Sequence, residues 1–210
     1  MIEVDQLVVK YRSHRLRRPT TALDGLDLRV EEGDFFALLG QNGAGKSTAL
    51  YCALGLLRPT AGRVSVFGSP PDPGCEAFRQ IGYLPEEPHY PGYLTVGEAL
   101  RYYGALNGVS SVDARMTELL DRLGLVEHRR MRIAACSKGM KQKLGIAQCL
   151  LHRPRLLLLD EPMRGLDPMA VHVFREILVE MNRQGTTVVM SSHLLGEVEM
   201  VARRAAIIHC

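Results

Sequence analysis

No apolar run in this 210-residue chain approaches the roughly 18 residues that read as a membrane span, so a membrane role has to come through a partner. Nor is there a strong charge bias. Lys and Arg number 26 against 23 Asp and Glu, a net charge of +3. The pI of about 8.6 lies below the value above roughly 9 that is usual for nucleic-acid-binding domains, so no nucleic-acid partner is expected. Internal repeats and low-complexity segments are missing, and 46% apolar with 23% charged residues excludes disordered and fibrous classes. The N-terminal stretch carries Glu3 and Asp5 and no long apolar core, so it does not read as a secretory signal. Cysteine is sparse: Cys52, Cys75, Cys136, Cys149 and Cys210 form no C-x-x-C pair and have no His at zinc-ligand spacing. They read as reduced, buried thiols of a cytosolic protein.

What is present is an alternation of apolar strands and helical stretches. Strands are predicted over 2–9, 25–30 and 34–39, and the last (DFFALL) is apolar enough to be buried on both faces. Shorter strands are predicted near 63–67, 81–84, 155–159, 186–190 and 205–208. Helices are predicted at about 46–57, 96–107, 112–124, 139–152, 168–184 and 194–203. The late alternation implies an α/β core with a largely parallel sheet. The middle, about 86–153, lacks a strong strand and reads as a helical insertion. Thr95 with Glu98 forms a capping-box pattern, Asp167-Pro168 a helix start, and Gly185 a helix end. The chain ends on Ile207-Ile208-His209-Cys210, expected either to be cut short or to supply a strand that closes the sheet.

Two motifs carry chemistry. Gly40-Gln41-Asn42-Gly43-Ala44-Gly45-Lys46-Ser47-Thr48 fits G-x-x-x-x-G-K-[ST] between a strand and a helix. Its backbone N–H groups converge on phosphate oxygens, Lys46 reaches the β- and γ-phosphates, and the Ser47 hydroxyl suits Mg²⁺. The following helix aims its positive end at the same anion. Leu156-Leu157-Leu158-Leu159-Asp160-Glu161 is a buried strand ending in two acids. Asp160 is expected to hold Mg²⁺. Glu161, expected on the opposite face of the strand, is a candidate to polarise a water for attack on the γ-phosphate. A third feature is an anion site from the Ser137 hydroxyl and the Gly139 N–H at a helix start.

With these motifs the chain resembles the nucleotide-binding subunit of ATP-binding cassette (ABC) transporters. Ser137-Lys138-Gly139-Met140 resembles the family signature, Gly165-Leu166-Asp167 the D-loop, and His193 after Ser191-Ser192 the switch histidine. Tyr11 matches the aromatic that stacks on adenine. The resemblance implies a P-loop NTPase core with a mostly parallel sheet, an N-terminal antiparallel β portion and a helical subdomain. Residues 1–85 and 154–210 would form the core and 86–153 the helical subdomain of a single domain. ATP and Mg²⁺ are the implied cofactors. Two copies are implied to pack head to tail, with each ATP between Lys46 of one copy and Ser137 and Gly139 of the other; Asp167 of the D-loop is a further nucleotide-binding candidate. His193 would donate to the γ-phosphate. A separate permease at the cytoplasmic face of the membrane is the implied partner, facing 86–93 and the helix after Thr95.

The chain departs from the family pattern at several positions. Cys136, Lys138 and Met140 replace Leu, Gly and Gln of the common signature, and this form resembles the branch paired with ABC-2-type permeases, largely exporters. Glu86 stands where Gln is usual, still able to approach Mg²⁺ or the attacking water but adding negative charge. Arg164 replaces a small residue before the D-loop glycine. The segment Ser13-His14-Arg15-Leu16-Arg17-Arg18 is a longer basic loop, read as solvated or as a contact for anionic lipid or a partner. A soluble, non-transport ABC protein acting on ribosomes or DNA is the alternative. Such proteins usually fuse two cassettes or insert long coiled coils, whereas this chain has one P-loop and no sustained heptads. A P-loop small-molecule kinase would leave Ser137, Gly139 and Glu161 without a joint account.

Overall fold

The computed structural model describes residues 1–11 and 20–209. The basic segment 13–18 and Cys210 lie outside the described residues. Strands β1 (Ile2–Tyr11), β2 (Thr20–Val30) and β4 (Ala61–Val66) form an antiparallel sheet in the order β2-β1-β4. Strands β3 (Phe35–Leu39), β5 (Ile81–Leu84), β6 (Leu156–Asp160), β7 (Thr187–Ser192) and β8 (Arg204–Ile207) form a parallel sheet in the order β5-β6-β7-β3-β8. The α/β class expected from the sequence is therefore observed, and β8 is an edge strand beside β3.

The unbroken apolar runs have a simple cause. Side chains alternate across a strand, so a strand covered on both faces needs apolar residues at every position. Phe35, Ala37 and Leu39 enter one core, while Phe36 and Leu38 enter the other. Leu157 and Leu159 join the first core, and Leu156 and Leu158 the second. Helices α2 (Val96–Leu106), α3 (Val112–Arg122) and α4 (Lys138–Leu150) lie between β5 and β6 in sequence and pack on one another over the first core. Helix α5 (Pro168–Arg183) contributes Phe174, Ile177 and Leu178 to the same core. Helix α1 (Lys46–Ala53) and the antiparallel sheet cover the other face.

Local signals set several boundaries. Thr95 accepts from the Glu98 N–H while the Glu98 side chain accepts from the Thr95 N–H, a complete capping box for α2. Asp167 accepts from the Ala170 N–H at 2.9 Å, ahead of Pro168 in the first turn of α5. Other boundaries differ from expectation. Helix α1 ends at Ala53 rather than near 57, because Gly55 takes a left-handed φ of 66°. The short helix α6 (Leu195–Val198) ends before 203, with the chain turning into β8 at Arg204. Strand β2 starts at Thr20, earlier than 25, and pairs with β1 through register shifts around Leu7. Cys52, Cys136 and Cys149 are buried free thiols, whereas Cys75 is exposed, a correction to the expectation of uniform burial.

Candidate functional site

The carboxyl ends of parallel strands leave backbone N–H groups, helix starts and loop residues facing one crevice, where α/β proteins build ligand sites. Here β3 feeds the glycine-rich loop, β5 leads to Glu86, β6 ends in Asp160 and Glu161, and β7 leads to His193. A cavity of about 540 Å³ opens at this end. Its wall brings together Tyr11, Asn42, Gly43, Gly45, Lys46, Ser47, Thr48, Glu86 and Glu161 from the residues singled out in the sequence. Thr20, Thr21 and Ala22 also line it, residues that sequence reading missed because the strand was expected to begin at 25. The run Thr20-Thr21 carried the signal, since β-branched residues favour strands.

The loop's shape requires glycine at position 45. Its φ is 99°, and a Cβ there would stand 2.5 Å from the Ala22 carbonyl oxygen. Gly40 and Ala44 do not line the cavity. The Gly40 carbonyl accepts from Lys46, and Ala44 is packed in the second core. The hydroxyl of Tyr11 lies 3.2 Å from that of Thr48, so the aromatic ring is tied to the first turn of α1 at the cavity wall.

Lys46 is only 5% exposed. Its Nζ donates to the carbonyls of Gly40 at 2.7 Å and Gln41 at 3.1 Å, and stands 3.2 Å from Glu161 Oε1. Two charges this buried need each other, because water no longer screens or solvates them. Glu161 Oε1 is in ion-pair contact but makes no hydrogen bond, so it keeps a buried acceptor lone pair. The other oxygen, Oε2, is 2.8 Å from His193 Nδ1. An ionised carboxylate only accepts, so Nδ1 carries the proton and Nε2 is left for another group.

The strand does not continue through Glu161 as expected. It ends at Asp160, and Glu161 takes a left-handed φ of 45°, a conformation that costs a non-glycine residue on the order of 1–3 kcal/mol. That turn, rather than strand alternation, brings the carboxylate to Lys46. Ser191 holds it there. Its hydroxyl donates to Asp160 Oδ1 at 2.6 Å and accepts from the Glu161 N–H at 2.9 Å. Sequence reading placed Ser191 only as a neighbour of His193, because its partners lie on the adjacent strand. Asp160 is 1% exposed and does not line the cavity wall.

Ser137, Gly139 and Asp167 gather at a second place, outside the cavity wall. Ser137 caps α4 by accepting from the Met140 N–H at 3.2 Å. A Cβ on Gly139 would lie 3.1 Å from the Gly165 carbonyl oxygen, so the start of α4 packs directly on the D-loop segment. Hydrogen bonding from the Ala170 N–H, helped by Lys143, holds the Asp167 carboxyl below its usual range. Buried Gln142 donates to the Pro162 carbonyl at 3.1 Å, linking α4 to the turn after Glu161, a contact the sequence did not reveal. His152 Nε2 donates to the Ile81 carbonyl at 3.1 Å inside the fold.

The residues present suit a nucleotide with Mg²⁺. Among the described residues no three His, Cys, Asp or Glu side chains cluster as an all-protein metal cage. Mg²⁺ does not need one, because it keeps waters and phosphate oxygens beside one or two protein ligands. Ser47 on the wall would supply one such oxygen, and Asp160, buried at the end of β6 with Oδ1 held by Ser191, would have Oδ2 left to offer. Phosphate oxygens would find buried Lys46 and the start of α1.

Residues 23–164 match the family described as ABC transporter. An uncharacterized ABC transporter ATP-binding protein of Synechocystis is 36% identical over 197 residues, covering 92% of this chain and 55% of the relative. The bacitracin transport ATP-binding protein of Bacillus licheniformis is 37% identical over 190 residues, covering 90% of this chain and 62% of the relative. A solved structure of an ATP-binding subunit of an ABC transporter superposes with a TM-score of 0.89 at 34% identity, covering 99% of this chain and 85% of that one. The chain thus spans a little over half the length of the two curated relatives.

Proposed function

The chain belongs to the ABC transporter family, and from that premise we propose that it is the ATP-hydrolysing subunit of a transporter whose membrane-crossing part is a separate permease. No helix among the described residues is long and apolar enough to cross a membrane; the family membership is what supports action at the cytoplasmic face, beside the permease. The name of the bacitracin transport relative supports a transport role, and the Ser137-Lys138-Gly139-Met140 form favours export.

The observation that carries the reading is the chain Lys46–Glu161–His193, joined at 3.2 Å and 2.8 Å beside the cavity. ATP would lay its adenine on Tyr11 and its phosphates along residues 40–48. Lys46 would exchange a carbonyl or Glu161 contact for phosphate oxygen, which strengthens a charge-assisted bond without unburying the amine. Mg²⁺, when bound at Ser47 and Asp160, would neutralise charge on the phosphate oxygens. Glu161, released from Lys46, would accept the proton of a water as its oxygen bonds to the γ-phosphorus and the bond to the β-phosphate oxygen breaks. His193 would keep that carboxylate aligned through Nδ1–H. A second copy, packed head to tail, would bring Ser137 and Gly139 to the γ-phosphate. Closing and reopening of this dimer would move the permease.

Purified protein incubated with ATP should release phosphate in the presence of Mg²⁺, and Lys46→Ala should stop it. Wild-type turnover in the variant would reject the assignment.

A further inference from the structure

Positions at which this chain departs from the family pattern meet in space. Glu86, in place of the usual Gln, is ion-paired with Arg164, in place of the usual small residue. The next acid, Glu87, pairs with Lys138 at 2.7 Å, and Lys138 stands where the common signature has Gly. Arg164 also sits in the turn that leaves Glu161, with its N–H donating to the Glu161 carbonyl at 3.1 Å. Two ion pairs on adjacent acids, Glu86–Arg164 and Glu87–Lys138, therefore tie the segment after β5 to the turn after β6 and to the start of α4.

The arrangement matters because Glu86 lines the nucleotide cavity together with Lys46 and Glu161. Without a counter-charge, that wall would present two carboxylates against one lysine. A polyphosphate entering it would meet repulsion that a neutral Gln in the same place would not cause. The guanidinium removes that repulsion and draws the Glu86 carboxylate into a fixed pair.

We infer that Arg164 is a positioning residue for the nucleotide: it neutralises Glu86, so that a Glu can occupy the Gln position without weakening phosphate binding. The inference rests on the ATPase reading above. It also assigns Glu86 a different part from the expected Mg²⁺ ligand, because its carboxylate is already engaged.

The test is a four-protein cycle of wild type, Arg164→Ala, Glu86→Gln and the double variant. ATP affinity is read by competition against a fluorescent ATP analogue with Mg²⁺, beside phosphate release and thermal melting. An uncompensated charge within about 10 Å of the phosphates is worth on the order of tenfold in affinity at the effective dielectric of a protein surface. Arg164→Ala should therefore bind ATP about tenfold more weakly and raise KM with little change in kcat. In the Glu86→Gln background the same substitution should change affinity less than about twofold. High salt should shrink the Arg164→Ala defect, because both side chains are half exposed. Arg164→Lys, which keeps the charge, should stay close to wild type. An equal loss in both backgrounds, or no loss in either, overturns the inference and makes the pair a brace between loops. A folded wild type that binds no ATP overturns the ATPase reading as well, whereas wild-type binding with additive substitutions overturns this inference alone.

Discussion

Replacing Glu161 by Gln probes the proposed chemistry with the smallest change of shape. The amide keeps an oxygen for the His193 Nδ1–H bond at 2.8 Å but cannot take a proton near neutral pH. A positioned general base contributes about 10²–10⁴-fold, or about 3–5 kcal/mol of barrier, so phosphate release should fall by that factor. Stability should respond too. Lys46 loses the carboxylate 3.2 Å away but keeps its bonds to the Gly40 and Gln41 carbonyls. An abandoned buried charge costs up to about 3–5 kcal/mol, and two retained bonds to carbonyls reduce this to about 1–2 kcal/mol. For a chain of this size that is a Tm drop of about 2–8 °C without nucleotide. Triphosphate replaces the missing negative charge, so ATP with Mg²⁺ should raise the variant's Tm more than the wild type's. Malachite-green phosphate release and melting curves with and without ATP read both effects. Turnover within a few-fold of wild type would refute Glu161 as the base.

Other outcomes follow from the same geometry. Tyr11→Ala should weaken ATP binding by the roughly 1–3 kcal/mol typical of base–aromatic stacking, while Tyr11→Phe, which loses only the Thr48 contact, should bind within about threefold of wild type. Ser137→Arg should leave ATP binding to the isolated subunit nearly intact but abolish ATP-dependent dimerisation on size-exclusion chromatography. Equal loss of binding and dimerisation would reduce Ser137 to the cap of α4. Burial pushes the Cys52 thiol up to about 11 and raises Cys149 as well. Thiolate is lost as pH falls below the raised value, so at pH 8 only about one Cys52 in 10³ is reactive. N-ethylmaleimide should therefore label exposed Cys75 in the folded protein and reach Cys52 and Cys149 only after denaturation, as read by peptide mass spectrometry.

The parts of the site legible in the sequence are those whose physics is local. The phosphate loop needs glycines and a lysine at fixed spacing, because one short stretch of backbone does the work. The same holds for the Thr95–Glu98 capping box and the Asp167-Pro168 helix start, whose partners are three residues apart or adjacent. The buried strands around 34–39 and 156–160 announced themselves by apolar residues at every position, which two covered faces require. The unread parts depend on partners distant in sequence. Nothing periodic says that Glu161 will turn left-handed onto Lys46, or that Ser191 will hold both Asp160 and the Glu161 N–H across a strand pair. Glu86 and Arg164 could be seen as departures from a pattern, but only the fold shows them to be one pair. The early start of β2 was hidden because Gly25 looks like a strand boundary, whereas its φ of 75° is accommodated inside a strand with register shifts.

The central claim is that the cavity between Tyr11 and Lys46 is an ATP site. Equilibrium binding of a fluorescent ATP analogue with Mg²⁺, competed by unlabelled ATP, tests it most directly. The chain lacks tryptophan, which keeps the optical background low. Wild type should bind one nucleotide per chain, and Lys46→Ala should bind at least about tenfold more weakly, because it removes the buried cation from beside the phosphates. A folded wild type without saturable binding, or a Lys46→Ala variant with unchanged affinity, would contradict the account.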